Sequence, residues 1–183
     1  MLDITFVTGN AAKAEQLQRY LKLPIEHTKL DLEEIQSLDL EEVVAHKATA
    51  AFKLIGSPVL IEDTALTFQA LGRLPGPLIK WFLSELGNEG LCKFLDGYQD
   101  RTATATVLYG LYDGTRLRTF AGEVEGSIAD RPRGVEGFGW NPIFMPKGSD
   151  KTWAEMTVAE QRHSSMRRIA LEKLEAELSS ELR

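Results

Sequence analysis

Cysteine is nearly absent: Cys92 stands alone in 183 residues, so no intrachain disulfide can staple the chain. The expectation for it is a small buried side chain. Three scattered histidines, His27, His46 and His163, argue against a His-rich zinc site. No apolar run approaches the roughly 20 residues that a bilayer-spanning helix needs. Basic residues are in the minority, 21 Lys and Arg against 27 Asp and Glu, for a net charge of −6. That balance argues against a general polyanion-binding surface, because affinity for a phosphate backbone comes mainly from massed Lys and Arg. Any phosphate ligand must therefore be gripped locally, and neither a nucleic acid polymer nor a membrane is expected as a partner. The opening MLDITFVTGN has an acid at its third position and a short apolar run, unlike a signal or transit peptide, so a cytoplasmic location is expected.

What remains is ordinary globular material, 43% apolar and 26% charged, of a length that suits a single domain over 1–183, with room for two lobes. Ile4 to Thr8 reads as a strand, Gly9-Asn10 as a turn, and Ala11 to Lys22 as a helix. Ile25 to Leu30 is a second short strand, followed by an acidic loop with Asp31, Glu33 and Glu34. Asp39 with Glu42 three residues later marks a helix start, and Leu40, Val43, Val44, Ala48, Ala51 and Ile55 trace its apolar stripe. Pro58 to Ile61 reads as a buried strand ending at Glu62-Asp63.

After the LGRLPGP loop come two helices, one through Lys80 to Leu83 and one from Glu89 to Leu95. Thr102 to Tyr112 and Arg116 to Ile128 form a hairpin around Asp113-Gly114. Arg131 to Pro146 is an irregular loop, Trp153 to Met156 a short strand, and Thr157 with Glu160 caps a last helix whose one face holds Met166, Ala170, Leu174 and Leu178. The mixture predicts an α/β fold, with helix-connected strands and long antiparallel ones.

Several residues carry chemistry. Thr8-Gly9-Asn10-Ala11-Ala12-Lys13 places a strand-to-helix junction and a first-turn lysine together, which favours an anion. It lacks the GxxxxGK[ST] spacing of a P-loop, and an ordinary turn with a surface lysine reads equally from spacing alone. Lys47 falls on the apolar stripe of its helix, so its ammonium either snorkels to solvent or meets an anion such as a polyphosphate. Glu33, Glu34, Glu62 and Asp63 are hard oxygen ligands suited to Mg²⁺, or else a solvated acidic loop and a strand-end turn. Phe138-Gly139-Trp140-Asn141-Pro142 either stacks a base or packs as a loop core. Arg167 and Arg168 either contact a ligand or are solvated, and no triad signature surrounds Ser164 and Ser165.

In this order, FVTGNAAK, VLIEDTAL, LGRLPGPLIKWFL, FAGEVEGSI, FGWNPIF, WAEMT and SMRRIAL closely resemble the inosine/xanthosine triphosphate pyrophosphatase family, and LPGPLIKWFL its eukaryotic-type branch. The resemblance implies an elongated mixed sheet with flanking helices, two lobes around a central nucleotide cleft, and a homodimer. It further implies Mg²⁺-dependent hydrolysis of ITP, dITP and XTP to monophosphate and pyrophosphate, an activity that sanitises nucleotide pools. By the same resemblance Thr8, Asn10, Lys13 and Lys47 hold the phosphates. Glu34 and Asp63 bind the metal, and Asp63 and Glu62 are the catalytic acids, Asp63 activating water with Glu62 beside it. Lys80 lies near the cleft with Trp81, and Phe138, Gly139 and Trp140 pack against the base.

Three positions depart from the family pattern. Asn141 stands where an aspartate is usual, Gln161 replaces a lysine, and the usual Ser-His-Arg reads Ser165-Met166-Arg167. All three fall on the nucleotide-recognition side, where a lost polar contact redirects discrimination between bases. Two alternatives follow: the same reaction on a different base, or a nucleotide-binding sensor with little turnover.

Overall fold

The structure, a computed structural model, describes residues 4–21, 25–137 and 139–181. In chain order the elements are β1 (Thr5–Val7), α1 (Ala11–Tyr20), β2 (Glu26–Thr28), α2 (Leu40–Ile55), β3 (Val59–Phe68), β4 (Pro75–Gly76), α3 (Ile79–Lys93), β5 (Thr102–Tyr112), β6 (Leu117–Ile128), β7 (Phe144–Pro146), α4 (Val158–His163) and α5 (Met166–Glu181). The strands form one seven-stranded sheet in the order β2-β1-β3-β5-β6-β7, with β4 paired to β3. β1 runs parallel to β2 and β3, whereas β4 on β3 and β7 on β6 are antiparallel. The mixed α/β class expected from the sequence is the one observed.

The chain divides into two compact units: Met1–Asp63, Val107–Gly122 and Arg167–Arg183 in the first, Thr64–Thr106 and Glu123–Met166 in the second. In the first unit α2 is fixed at both ends. The Asp39 carboxylate accepts from the N–H groups of Glu41 and Glu42, and Gly56 closes the helix in the left-handed region at φ 76°. Glu42 does not complete a capping box; it accepts the Ser37 hydroxyl at 2.6 Å. The apolar stripe of α2 buries Val44, Ala48 and Ala51 with Val7, Val59, Ile61 and Leu108 of the strands. Gly110 permits that approach, because a Cβ there would lie 2.4 Å from Val44 Cγ1. Alternation along the strands sends Phe6, Leu60 and Tyr109 to the opposite face, where the Phe6 and Tyr109 rings sit 6.5 Å apart.

The second unit is anchored by Arg101, whose guanidinium donates to the carbonyls of Ile128, Cys92 and Ala129. Trp140, Phe144 and Trp153 form its aromatic core, with centroids 4.5–5.8 Å apart. Cys92 is buried, as expected.

Four details differ from the sequence reading. β3 does not end at Glu62-Asp63 but continues through Thr64-Ala65-Leu66-Thr67-Phe68, residues whose β-branched and apolar character keeps the strand going. Trp153–Glu155 is a 3-10 turn, not a strand, held by the Glu155 carboxylate, which accepts the Thr152 N–H at 2.8 Å. The last helix is two: Thr157 and Glu160 cap α4, which stops at Ser164 before α5 begins. β4 and β7 were not anticipated. The break expected between Leu83 and Glu89 is real: Gly87, at φ 62° and ψ 179°, interrupts α3. Among the described residues, no helix is long and apolar enough to cross a membrane.

Candidate active site

β3 carries the centre of the site in the first unit. Because Glu62 and Asp63 are consecutive within a strand, their side chains leave on opposite faces. Asp63 shares the α2 face with Val59 and Ile61. There Lys47, reaching from the helix stripe, places its ammonium 2.6 Å from Asp63 Oδ2 and 2.9 Å from Glu34 Oε1. The two carboxylate oxygens are thus no farther apart than the sum of those distances. Burial works against the Lys47 charge, but Asp63 and Glu34 outweigh it and its pKa is raised. Exposure grades outward, from 14% for the Lys47 side chain to 19% for Asp63 and 38% for Glu34.

On the other face Glu62 is completely buried. Its Oε1 accepts Arg167 Nη2 at 2.9 Å and Nε at 3.2 Å, and Lys13 Nζ lies 3.3 Å from the same oxygen. Oε2 accepts the Tyr109 hydroxyl at 2.7 Å. Burial alone would raise the carboxyl's pKa, yet Arg167 and Lys13 reverse this and hold it at about 2. The Tyr109 phenol is pushed well above its ordinary range by burial and by Glu62. A carboxylate this stabilised is a poor proton acceptor, so the catalytic role expected of Glu62 does not suit its surroundings.

Thr8, Asn10 and Lys13 shape the entry to α1. Thr8 Oγ1 accepts the Asn10 N–H at 3.1 Å, and the Asn10 carbonyl accepts from Lys13 and Ala14, so Asn10 starts the helix. Lys13 is therefore in the first turn, as the sequence indicated, but its ammonium is already drawn to Glu62. Gly9 makes no demand for a missing side chain, since a Cβ there would meet Lys29 at an ordinary 3.6 Å.

The expected recognition residues of the second unit are largely engaged in its packing. Trp140 is buried against Phe144 and Trp153, and Met166 is buried at the start of α5. Gln161 Nε2 donates to the carbonyls of Trp153 at 2.6 Å and Met156 at 3.2 Å. The Asn141 carbonyl accepts from Ala154, and the Gly139 carbonyl from Asn88 Nδ2 at 3.0 Å. Lys80 Nζ sits 5.6 Å from the Trp81 ring centroid, a cation–π contact. Ser165 is also engaged in an interaction, and Phe138 lies outside the described residues. Arg167, expected near phosphate or base, is committed to Glu62.

Sequence reasoning missed Tyr109. A signal was present: a tyrosine inside the apolar run Val107–Leu111 has a hydroxyl that burial obliges to find a partner. The Glu34–Lys47–Asp63 cluster consists of oxygen donors already gathered around one cation, a donor set that suits Mg²⁺ completed by substrate phosphate and water. No group of three or more His, Cys, Asp or Glu forms a metal cage among the described residues.

Residues 4–177 match the Ham1 family. The inosine triphosphate pyrophosphatase of Yarrowia lipolytica is 45% identical over 183 residues, covering 97% of this chain and 96% of that protein. The dITP/XTP pyrophosphatase of Methanopyrus kandleri is 40% identical, covering 94% of each chain. The solved structure of a HAM1 protein from Coxiella burnetii superposes with a TM-score of 0.87 at 29% identity, covering 98% of this chain and 100% of that one.

Proposed function

The chain belongs to the Ham1 family, and from that premise we propose that it is an enzyme cleaving a nucleoside triphosphate to monophosphate and pyrophosphate, with ITP, dITP and XTP as substrates. One observation supports the assignment of the chemistry: Glu34 and Asp63, from a loop and a strand, meet at a single cation in a partly exposed setting. Glu34 and Asp63 would hold Mg²⁺. When bound, the ion supplies positive charge against the polyphosphate and Lewis acidity.

The protein's own residues do the rest. Asp63, with a partly exposed carboxylate fixed by Lys47, accepts a proton from the attacking water. The water oxygen bonds to phosphorus while the α–β bridging P–O bond breaks, its electrons leaving with the departing group. Lys47 and Lys13 set positive charge against the phosphate oxygens, and the first turn of α1, opened by Thr8 and Asn10, favours the anion. Phosphoryl transfer asks mainly for positioning and charge stabilisation, which fits a site without a covalent nucleophile. Homodimerisation is part of the proposal, supported by exposed Trp81, Leu86, Phe94 and Tyr98 on and after α3. So are a cytoplasmic location and a role in removing non-canonical purine nucleotides.

A second reading concerns the base. Gln161 and Met166 stand at departures from the family pattern and are used in packing, so the ranking of bases differs from a simple ITP and XTP preference. A nucleotide panel with Mg²⁺, scoring pyrophosphate separately from orthophosphate, tests both. Pyrophosphate from ITP, dITP and XTP supports the first reading and pyrophosphate mainly from another nucleotide the second. Orthophosphate alone, or binding without product, contradicts both.

A further inference from the structure

Three elements converge on one carboxylate. Arg167 of α5 and Lys13 of α1 both address Glu62 Oε1, and Tyr109 of β5 donates to Oε2. Glu62 has no side-chain exposure, and burying such a group is tolerable only because its partners saturate it. The partners are not equivalent. Arg167 makes two N–H bonds from a planar fork, the nearer at 2.9 Å, and Tyr109 makes one at 2.7 Å. Lys13, at 3.3 Å, is the longest contact of the set and its side chain keeps 16% exposure. An ammonium has three donors. Turning one inward leaves others for a ligand.

We infer that Glu62 is a positioning residue for Lys13. Immobilised by Arg167 and Tyr109, it draws the Lys13 ammonium to one place in the first turn of α1 and so aims the remaining N–H groups at an arriving polyphosphate. A lysine restrained in this way loses less freedom on binding than one left to sample its rotamers. The nucleoside plays no part in this step, so the ligand chemistry is that of the polyphosphate tail. The inference rests on the proposed pyrophosphatase reading for the identity of that tail.

The test is a double-mutant cycle between Glu62→Gln and Lys13→Met. Inorganic pyrophosphate binding is measured by calorimetry and ITP turnover by steady-state kinetics, with thermal melting to establish folding. In the wild-type background Glu62→Gln should weaken pyrophosphate binding and raise KM by about tenfold, with a smaller change in kcat. In the Lys13→Met background it should do almost nothing further. Additive losses, or a fall in kcat at unchanged KM, would overturn the inference. If Glu62→Gln fails to fold, Tyr109→Phe removes a single hydroxyl bond and should give a smaller KM rise that disappears without Lys13; an equal rise in both backgrounds would overturn it. Wild-type protein that binds pyrophosphate and shows the cycle, yet turns over no triphosphate, would remove the pyrophosphatase reading and leave this one standing.

Discussion

The two faces of β3 in the first unit treat a carboxylate in different ways. On one, Glu62 is sealed from water, saturated by Arg167, Lys13 and Tyr109, and held at a pKa of about 2. On the other, Asp63 keeps 19% exposure and shares the Lys47 ammonium with Glu34, itself 38% exposed. Adjacent acids with similar side chains thus divide the labour. On the proposed reading the sealed one would fix geometry, and the partly open one would meet a cation and accept a proton. The difference lies in burial and surroundings, not in residue type.

The contrast can be broken most forcefully through stability. Glu62→Leu removes the buried carboxylate that Arg167, Lys13 and Tyr109 all address and should cost about 3–5 kcal/mol, whereas Asp63→Asn, near solvent, should cost about 1 kcal/mol. Urea unfolding of both variants measures the difference, and equal losses would erase the distinction between the faces. Acid unfolding gives the next effect. The Glu62 pKa is depressed from 4.5 to about 2, so its contribution is complete above pH 4.5 and is lost as pH falls toward 2. That loss is on the order of 3 kcal/mol, and Glu62→Gln should flatten the stability curve across this window.

On the open face, Lys47→Met removes the ammonium joining Glu34 to Asp63 and should slow pyrophosphate release by about 10²-fold while the chain stays folded. Initial rates at saturating ITP and Mg²⁺ check this. The smallest effect belongs to the helix that delivers Lys47. Asp39→Ala removes the cap of α2 and should cost about 1 kcal/mol in thermal unfolding, with turnover per folded molecule unchanged.

Much of this arrangement was legible in the residues. The amphipathic stripe of α2 exposed Lys47 as an oddity, and an ammonium in an apolar stripe had to find an anion or reach solvent. It found Glu34 and Asp63. The first turn of α1, the Asp113-Gly114 hairpin and the Thr157–Glu160 cap were equally local, each carried by a few residues whose chemistry dictates a turn or helix start. The division between Glu62 and Asp63 was not legible, because it depends on β3 running on to Phe68. Once the strand is taken to stop at the acids, nothing assigns them to opposite faces. The commitment of Arg167 to Glu62 spans 105 positions, and no periodicity encodes a contact that distant. Trp140 illustrates an alternative that composition left open: FGWNP reads as a base platform or as a loop core, and Phe144 with Trp153 place Trp140 in the core.

The most direct measurement compares Asp63→Asn with Glu62→Gln in one assay, pyrophosphate release at saturating ITP and Mg²⁺. The division of labour predicts that Asp63→Asn loses about 10³-fold in kcat, and that Glu62→Gln retains most of its kcat once substrate saturates. An Asp63→Asn protein that still releases pyrophosphate at the wild-type rate, or a folded Glu62→Gln protein that loses kcat as completely as Asp63→Asn, would contradict it.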